Sequence, residues 1–240
     1  MRKIDIATWS RRPQWEHFSK MNFPFYHVSF YIDVTQAYSY AKLHGVSFYH
    51  TICYLVSVTM NDIENFRYRI MEDGVYLLDK CHPSFTVLQP GSSEFQILTC
   101  RLDGSIEEFC RHASDLWDNM CKASPDERQF IGGDSDVPEE ECYFLSCLPW
   151  LDTTGMCSER TLDATDSVPR VSWGRYTRMD RGDNYIPKLK DWLGLQGQEH
   201  PVRQGKRLWI NMTVDVNHRL VDGYHIGKFA TLLQETIDRL

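Results

Sequence analysis

Several features that would place this sequence in a special class of proteins are missing from it. None of its eight cysteines forms a CxxC pair, and no group of Cys and His residues has zinc-finger spacing. No apolar run approaches the length of a membrane span, and the opening MRKIDIATWSRR contains no apolar signal core. We therefore expect a cytoplasmic protein, with no membrane partner, whose cysteines are reduced thiols buried as small hydrophobic side chains.

Excess positive charge is also missing. The 33 Asp and Glu residues outnumber the 26 Lys and Arg residues, which gives a net charge of -7. Nucleic-acid-binding proteins usually carry a basic face that displaces counterions from the phosphates. We therefore expect no nucleic acid partner, while a local basic pocket for one phosphorylated ligand stays compatible with this composition.

No internal repeat, low-complexity tract or linker rich in Gly, Ser or Pro divides the 240 residues. Hydrophobic residues make up 42% of the chain and charged residues 25%, which is typical of a globular protein with a substantial core. We predict a single domain over residues 1–240, interrupted by a polar excursion at about 177–206. Within this excursion, residues 186–195 are compatible with one or two helical turns.

The pattern of apolar residues predicts a mixture of strands and helices. Strand patterns occur at 27–33, 75–79, 84–88, 94–101, 142–148, 168–176 and 207–216. Helical spacing near 3.6 occurs at 35–44, 47–63, 105–122 and 224–240, whereas the Pro, Asp and Gly residues of 124–141 indicate a loop. This order predicts an α/β (α+β) two-layer sandwich, in which a mixed β-sheet is covered by helices.

The most informative segment is residues 217–225, NHRLVDGYH, between a long apolar strand and the last predicted helix. His218 has an ordinary pKa near neutrality, so it can take a proton from a hydroxyl and return it. Asp222 can fix the local backbone through an ion pair, and Gly223 would permit a tight turn. On this segment alone, a structural histidine at a strand end stays the more common alternative.

Residues elsewhere in the chain match a known family in the same order as this motif does. The HxxxDG turn, with its Tyr224-His225 pair, resembles the HHxxxDGFH-type turn of chloramphenicol acetyltransferases, and residues 8–12 resemble that family's opening W-x-R segment. Further anchors in family order are Phe48-Tyr49, Asn65-Phe66-Arg67, Phe85-Thr86-Val87, Ser146 with Leu148-Pro149-Trp150, and Arg175-Tyr176. The sequence is thus similar to the chloramphenicol acetyltransferases, which belong to the HxxxDG CoA-dependent acyltransferases.

The resemblance implies a homotrimer with an active site at each subunit interface and no metal. Acetyl-CoA would be the co-substrate, and a small-molecule hydroxyl compound, with chloramphenicol as the first expectation, would be the acceptor. His218 would be the general base, its other ring nitrogen bonded to its own backbone carbonyl, and Ser146 would donate to the oxyanion. Asp222 and Arg11 would form an ion pair that supports the site's architecture.

The resemblance also implies residues that bind the two substrates. Tyr49, Arg175 and Tyr176 match positions near the nucleotide and pantetheine arm of CoA, where forked donors suit a phosphate and rings suit an adenine. The expected acceptor-pocket residues are Phe18, Tyr26, Phe95, Phe130, Phe144 and Ser172.

Three departures or alternatives stay open. Asn217 replaces a second His, and Phe144 and Ile97 stand where typical members have smaller or polar residues, which favours a different hydroxyl acceptor. A dihydrolipoyl acyltransferase core shares the HxxxDG motif, but the Tyr224-His225 pair and the lack of a lipoyl-carrying segment before Trp9 argue against it. A non-catalytic CoA-binding homologue is the third alternative.

Overall fold

The computed structural model describes residues 1–89, 91–123, 130–163, 165–181 and 205–240. The described strands are β1 (Arg2–Lys3), β2 (Phe25–Asp33), β3 (Tyr68–Met71), β4 (Gly74–Leu77), β5 (His82–Leu88), β6 (Phe95–Thr99), β7 (Ile131–Gly133), β8 (Cys142–Leu148), β9 (Arg170–Gly174), β10 (Thr177–Met179) and β11 (Arg207–Asn217). The described α-helices are α1 (Arg12–Phe18), α2 (Thr35–His44), α3 (Phe48–Asn61), α4 (Ile106–Lys122) and α5 (Gly223–Asp238). Over these residues, no helix combines the length and the apolar character needed to cross a bilayer.

A mixed eight-stranded sheet forms the centre of the protein, in the order β10-β11-β9-β8-β5-β6-β7, with β2 paired to β11. The long strand β11 is antiparallel to β2 on one edge and to β9 and β10 on the other. The pairs β5–β8, β8–β9 and β6–β7 are parallel. A separate small sheet has the order β1-β4-β3.

The two faces of the large sheet differ in chemistry. Because successive side chains of a strand point to opposite faces, Phe85, Leu145, Val171 and Val214 share one face, and all four are buried. The helices pack on this face, where Phe30 of β2 contacts Phe229 of α5 with ring centroids 6.3 Å apart. The other face carries hydroxyl groups instead, at Thr86, Ser146, Ser172 and Thr213. The prediction of a mixed sheet covered by helices is confirmed.

Local signals explain where the helices begin and end. Gly45, at a φ of 64°, ends α2, because a left-handed residue closes a helix most easily without a side chain. The side chain of Ser47 caps α3. Ser105 and Glu108 form a capping box at the start of α4, in which each side chain accepts from the other residue's backbone N–H. The helices predicted at 35–44, 47–63, 105–122 and 224–240 therefore agree closely in position with α2 to α5, whereas α1 was not predicted.

Two predicted loops differ from the structure. Residues 124–141 include β7, which pairs with β6. This pairing requires a glycine at position 133, because its φ is 101° and a Cβ there would lie 2.0 Å from the carbonyl oxygen of Thr99. The excursion at 177–206 begins with the strand β10, whose partner β11 is distant in sequence. The helical turns expected at 186–195 lie outside the described residues.

All eight cysteines are free thiols in the structure. Five are buried and two, Cys121 and Cys147, are partly buried, but Cys157 is exposed. The expected burial is therefore wrong for Cys157, which lies on a covering segment (residues 151–163) that runs across the hydroxyl-bearing face of the sheet at β11.

Candidate active site

The imidazole of His218 lies between two aromatic rings at the end of β11. Its ring centroid is 3.9 Å from that of Phe18 and 4.1 Å from that of Tyr26, with interplanar angles of 15° and 25°. Its backbone N–H donates to the carbonyl oxygen of Pro24 at 2.7 Å. Both faces of the imidazole are thus covered, and contact with a reacting group is left to its edge.

The hydrogen bond of His218 determines which ring nitrogen is available. Its Nδ1 lies 3.2 Å from the carbonyl oxygen of Val221, which can only accept, so Nδ1 carries the proton and Nε2 keeps its lone pair. Burial lowers the pKa of His218 below its ordinary value of 6.5, although hydrogen bonds to the backbone of His218 itself and of Val221 favour the charged form. Val221 is therefore an acceptor in addition to the one that the resemblance implied.

Arg11 holds together the histidine turn (residues 217–225). Its Nη1 lies 2.7 Å from Oδ2 of Asp222, and its Nε and Nη2 donate to the carbonyl oxygens of Arg219 and His218 at 3.0 and 3.1 Å. Burial alone would raise the pKa of Asp222, but the hydrogen bond from Arg11 brings that pKa below its usual value. One buried guanidinium thus fixes both ends of the turn.

His225, to which the sequence analysis gave no chemical role, also contacts Asp222. Its Nδ1 lies 2.9 Å from Oδ1 of Asp222 and 3.2 Å from the backbone nitrogen of that residue, which forms a capping box at the start of α5. Gly223 has no positive φ, and a Cβ there would meet nothing within 4 Å, so the tight turn does not require a glycine at this position. The side-chain cap of Asp222 accounts for the turn instead.

A second group of predicted residues lines a cavity of about 1290 Å³ against β5, β6, β8 and β9. These residues are Tyr49, Phe95, Phe130, Phe144, Ser146, Ser172, Arg175 and Tyr176. Among the described residues that line it, His218, Phe18 and Tyr26 do not appear. The structure therefore divides the predicted site into two separate parts of one chain.

Ser146 presents its hydroxyl to this cavity from β8. Its Oγ lies 3.3 Å from Oγ1 of Thr86, and either oxygen can be the donor. Ser172 is its direct partner in the parallel pair of β8 and β9, and it lies in the same wall. A hydroxyl whose neighbour can also act as donor is free to turn its proton towards a bound oxyanion.

The residues expected to bind CoA occupy different depths of the cavity wall. The hydroxyl of Tyr49 donates to the carbonyl oxygen of Thr86 at 2.8 Å, so only its ring is available to a ligand. Tyr176 is 39% exposed and its ring contacts Tyr38 and Phe48. Arg175 is exposed, and its backbone N–H is bonded to Leu151. Arg175 and Tyr176 therefore form an exposed, partly cationic end of the cavity.

Aromatic side chains form another exposed part of the same wall. The rings of Phe95 and Phe130 meet edge to face at 5.4 Å, and they are 51% and 55% exposed. Phe144 lies under the guanidinium of Arg170, 5.7 Å from the ring centroid. Exposed apolar clusters of this kind commonly mark a ligand site or an interface.

The comparisons with known proteins agree with this architecture. A curated chloramphenicol acetyltransferase from Clostridium butyricum is 24% identical over 239 residues, which cover 97% of this chain and 92% of the relative. A solved chloramphenicol acetyltransferase superposes with a TM-score of 0.75 and 21% identity, covering 99% of this chain and all of the other. A dihydrolipoamide acetyltransferase from Azotobacter vinelandii gives 0.60 and 14%, covering 92% and 84%.

The family model described as chloramphenicol acetyltransferase matches residues 1–187, which is most of the chain. The similarity to the two chloramphenicol acetyltransferases covers at least 92% of each chain, so it extends far beyond the HxxxDG motif. The chain is therefore an acyltransferase that belongs to the chloramphenicol acetyltransferase family.

Proposed function

We propose that this enzyme transfers an acetyl group from acetyl-CoA to a hydroxyl of a small molecule, with His218 as the general base. The observation that carries the proposal is the position of the imidazole, which is held between two rings with Nδ1 bonded to a carbonyl oxygen. Its Nε2 can take the hydroxyl proton as the oxygen attacks the thioester carbonyl, and can then return that proton to the departing thiolate.

Ser146 is the proposed donor to the oxyanion that forms when the thioester is attacked. Its hydroxyl lies in the cavity wall, 3.3 Å from the hydroxyl of Thr86, and either hydroxyl can donate the hydrogen bond to the other. One such donor contributes roughly 100- to 1,000-fold to the rate in other acyl-transfer enzymes. In the Azotobacter dihydrolipoamide acetyltransferase, a serine, a histidine and an asparagine four residues after that histidine were studied for their role in catalysis. We propose that Ser146, His218 and Asp222, which lies four residues after His218, take the corresponding places here.

The separation of His218 from the cavity supports a site made by two subunits. His218 and Ser146 can act on one substrate if the surface that carries His218 in one copy faces the cavity that contains Ser146 in the neighbouring copy. Repeating this head-to-tail contact around a closed ring gives a cyclic oligomer. We propose the homotrimer that the family resemblance implies, in which each site combines His218 of one subunit with the cavity of the next.

The acceptor is proposed to be chloramphenicol or a compound like it, since the curated relatives carry that name. A different hydroxyl acceptor is the second candidate, and it is favoured by Phe144, Ile97 and Arg170, which all line the cavity. An aromatic ring, a branched side chain and a guanidinium narrow and polarise a pocket, and such changes alter specificity by about 1 kcal/mol or more.

An assay of thiol release from acetyl-CoA tests the reaction and the acceptor together. With chloramphenicol we expect acceptor-dependent release, and with a panel of other alcohols the second candidate predicts release where chloramphenicol gives none. Binding of CoA without turnover of any acceptor would establish the non-catalytic alternative. Light scattering should give three times the 28.2 kDa of one chain.

Mixed oligomers test the shared site directly. The variants His218→Ala and Ser146→Ala are unfolded together and refolded, so that random mixing places an intact His218 opposite an intact Ser146 at some interfaces. About one quarter of the wild-type activity should return, because one interface in four of a closed ring combines the two intact groups. If both groups act from one chain, the mixture stays as inactive as its components.

A further inference from the structure

Three side chains with metal-ligand chemistry meet on the hydroxyl-bearing face of the sheet, outside the catalytic groups described above. His27 of β2 lies directly opposite Asp215 of β11, so both side chains point to the same face. Cys157 of the covering segment lies above them. One ring nitrogen of His27, Sγ of Cys157 and a carboxylate oxygen of Asp215 all lie within 4.8 Å of one another.

The backbone around Cys157 is fastened to β11 on both sides. The N–H of Met156 donates to Oγ1 of Thr213, and the N–H of Ser158 donates to Oδ2 of Asp215, both at 3.1 Å. The thiol is therefore held over the strand although its side chain is exposed. Because this backbone is already fixed, the segment loses less conformational entropy when Cys157 binds a metal ion.

The carboxylate of Asp215 is oriented in the same way. Nη2 of Arg160 lies 3.1 Å from its Oδ1, and the same guanidinium pairs with Asp166 at 2.9 Å. Each carboxylate oxygen therefore accepts one hydrogen bond and keeps a lone pair. Hydrogen bonds of this kind orient a ligand for a metal ion. Arg170 also lies 3.6 Å from Asp166, so two guanidinium groups and two carboxylates balance each other around the cluster.

The donor set selects the metal. One sulfur, one nitrogen and one oxygen suit Zn²⁺, which binds at about 2.0–2.3 Å and so separates tetrahedral ligand atoms by roughly 3.3–3.8 Å. Closing the cluster to these distances requires shifts of about 1 Å, which side-chain rotation of the exposed His27 and Cys157 can supply. Of the three residues only Cys157 lines the cavity, so the cluster lies at the edge of the cavity, where the exposed side of His27 and Cys157 leaves room for a fourth ligand.

A second cluster, Cys100, His112 and Asp134, has the same composition but is less suited to a metal. Burial raises the pKa of the Cys100 thiol, which disfavours the thiolate that a metal requires. Both oxygens of Asp134 lie within 3.2 Å of Nε2 of His112, and its Oδ2 accepts from the backbone of Arg101 as well. Because it has the same three residue types but is less suited to a metal, this second cluster serves as the control for the first.

We propose that His27, Cys157 and Asp215 form a Zn²⁺ site at the edge of the cavity, with a water molecule as the fourth ligand. The metal fastens the covering segment to β2 and β11, and it takes no part in the proposed acetyl transfer. The site stands independently of that transfer, because none of its ligands is proposed to act on the thioester or the hydroxyl.

Cobalt binding tests the site without any activity measurement. The protein is treated with a chelator, dialysed and titrated with Co²⁺, which reports a thiolate ligand by charge-transfer absorption and tetrahedral geometry by intense visible bands. We expect one Co²⁺ per chain, displaced by one Zn²⁺. The affinity for Co²⁺ should fall by about 100-fold or more in Cys157→Ser and in His27→Gln. Losing a residue that only supports a metal ligand costs up to about 100-fold, and losing a ligand itself should cost at least as much.

His112→Gln and Cys100→Ser are the controls, and both should keep the cobalt spectrum of the wild type. Circular dichroism identifies any variant that fails to fold, and His112→Gln, whose side chain is 44% exposed, remains informative if Cys100→Ser does. The proposal is overturned if the wild type shows no thiolate band, or if that band survives in Cys157→Ser or His27→Gln. Loss of the band in His112→Gln alone would assign the metal to the second cluster instead.

Discussion

The histidine turn and the cavity that contains Ser146 are built in different ways. In the turn, Arg11, two aromatic rings and the backbone of Pro24 and Val221 leave the imidazole one position. In the cavity, the hydroxyl of Ser146 contacts that of Thr86 at 3.3 Å, and the rings of Phe95 and Phe130 are half exposed. If His218 is the base, as proposed, this difference predicts that its position is the same for any acceptor, whereas the cavity wall can adapt to a particular one.

Replacing the base should have the largest effect on activity. We expect His218→Ala to lower kcat for acetyl transfer by about 100- to 10,000-fold, the usual contribution of a general base. His44→Ala, at an exposed histidine outside the site, is the matched control and should keep wild-type activity. Thiol-release kinetics measure both variants, and equal rates in His218→Ala and the wild type would remove the proposed mechanism.

Ser146→Ala should lower kcat by about 100- to 1,000-fold with little change in the KM for acetyl-CoA, because an oxyanion donor acts in the transition state. Thr86→Val removes the neighbouring hydroxyl and leaves Ser146 in place, so its effect should be at least about tenfold smaller. Steady-state kinetics on both variants separate the two roles. A larger loss in Thr86→Val than in Ser146→Ala would assign the donor role to Thr86.

Arg11→Met should destabilise the protein as well as inactivate it, because Asp222 loses its guanidinium partner and the carbonyl groups of His218 and Arg219 lose the donor that Arg11 supplies. We expect a loss of about 3 kcal/mol in the free energy of unfolding, since breaking a buried pair from one side typically costs about 3–5 kcal/mol and Asp222 is 28% exposed. Arg12→Met is the control, because Arg12 pairs with Glu16 in solvent. Urea unfolding of both variants gives the comparison, and equal midpoints would show that the turn does not depend on Arg11.

The pH dependence tests whether burial of the imidazole matters for the reaction. His218 must be neutral to accept a proton, and burial lowers its pKa below 6.5, so activity should already be at its plateau at neutral pH. As the pH falls through this lowered pKa, kcat/KM should decrease by about tenfold per pH unit. An acidic limb with its midpoint above 6.5 would contradict the observed environment.

The smallest effect is expected from the cavity wall. Phe144→Ala should change the ratio of kcat/KM between two acceptors by about tenfold, the usual range for a change in pocket volume, and leave the KM for acetyl-CoA nearly unchanged. A panel of alcohols of different size measures this ratio. An unchanged preference would place the acceptor away from Phe144.

Short-range patterns predicted much of this structure. Helical spacing over 105–122 predicted α4, and strand patterns predicted the strands of the large sheet except β7 and β10. The pairing of Arg11 with Asp222 came from the family resemblance, since 211 residues separate them and no local pattern joins them. That resemblance also implied the division of the site between subunits.

What the sequence analysis missed depends on contacts between distant segments. The strand 207–216 was predicted as a core strand, but its alternating Thr213, Asp215 and Asn217 are polar and buried. This alternation is a signal that another segment covers that face, and it could have indicated the position of Cys157. The carbonyl of Val221 carries no side-chain signal at all, so only the folded backbone reveals it as a partner of His218.

The central position of β11 has a consequence for how the protein is made. Among the described strands, β2 pairs only with β11, which begins at Arg207, so residues 25–33 cannot form this pairing until residues 207–217 have left the ribosome. Pairings of such large sequence separation fold slowly, because the entropy of closing the loop is lost before the contact forms. We therefore expect β2 of the newly synthesised chain to stay unpaired, and open to chaperones, until β11 has emerged.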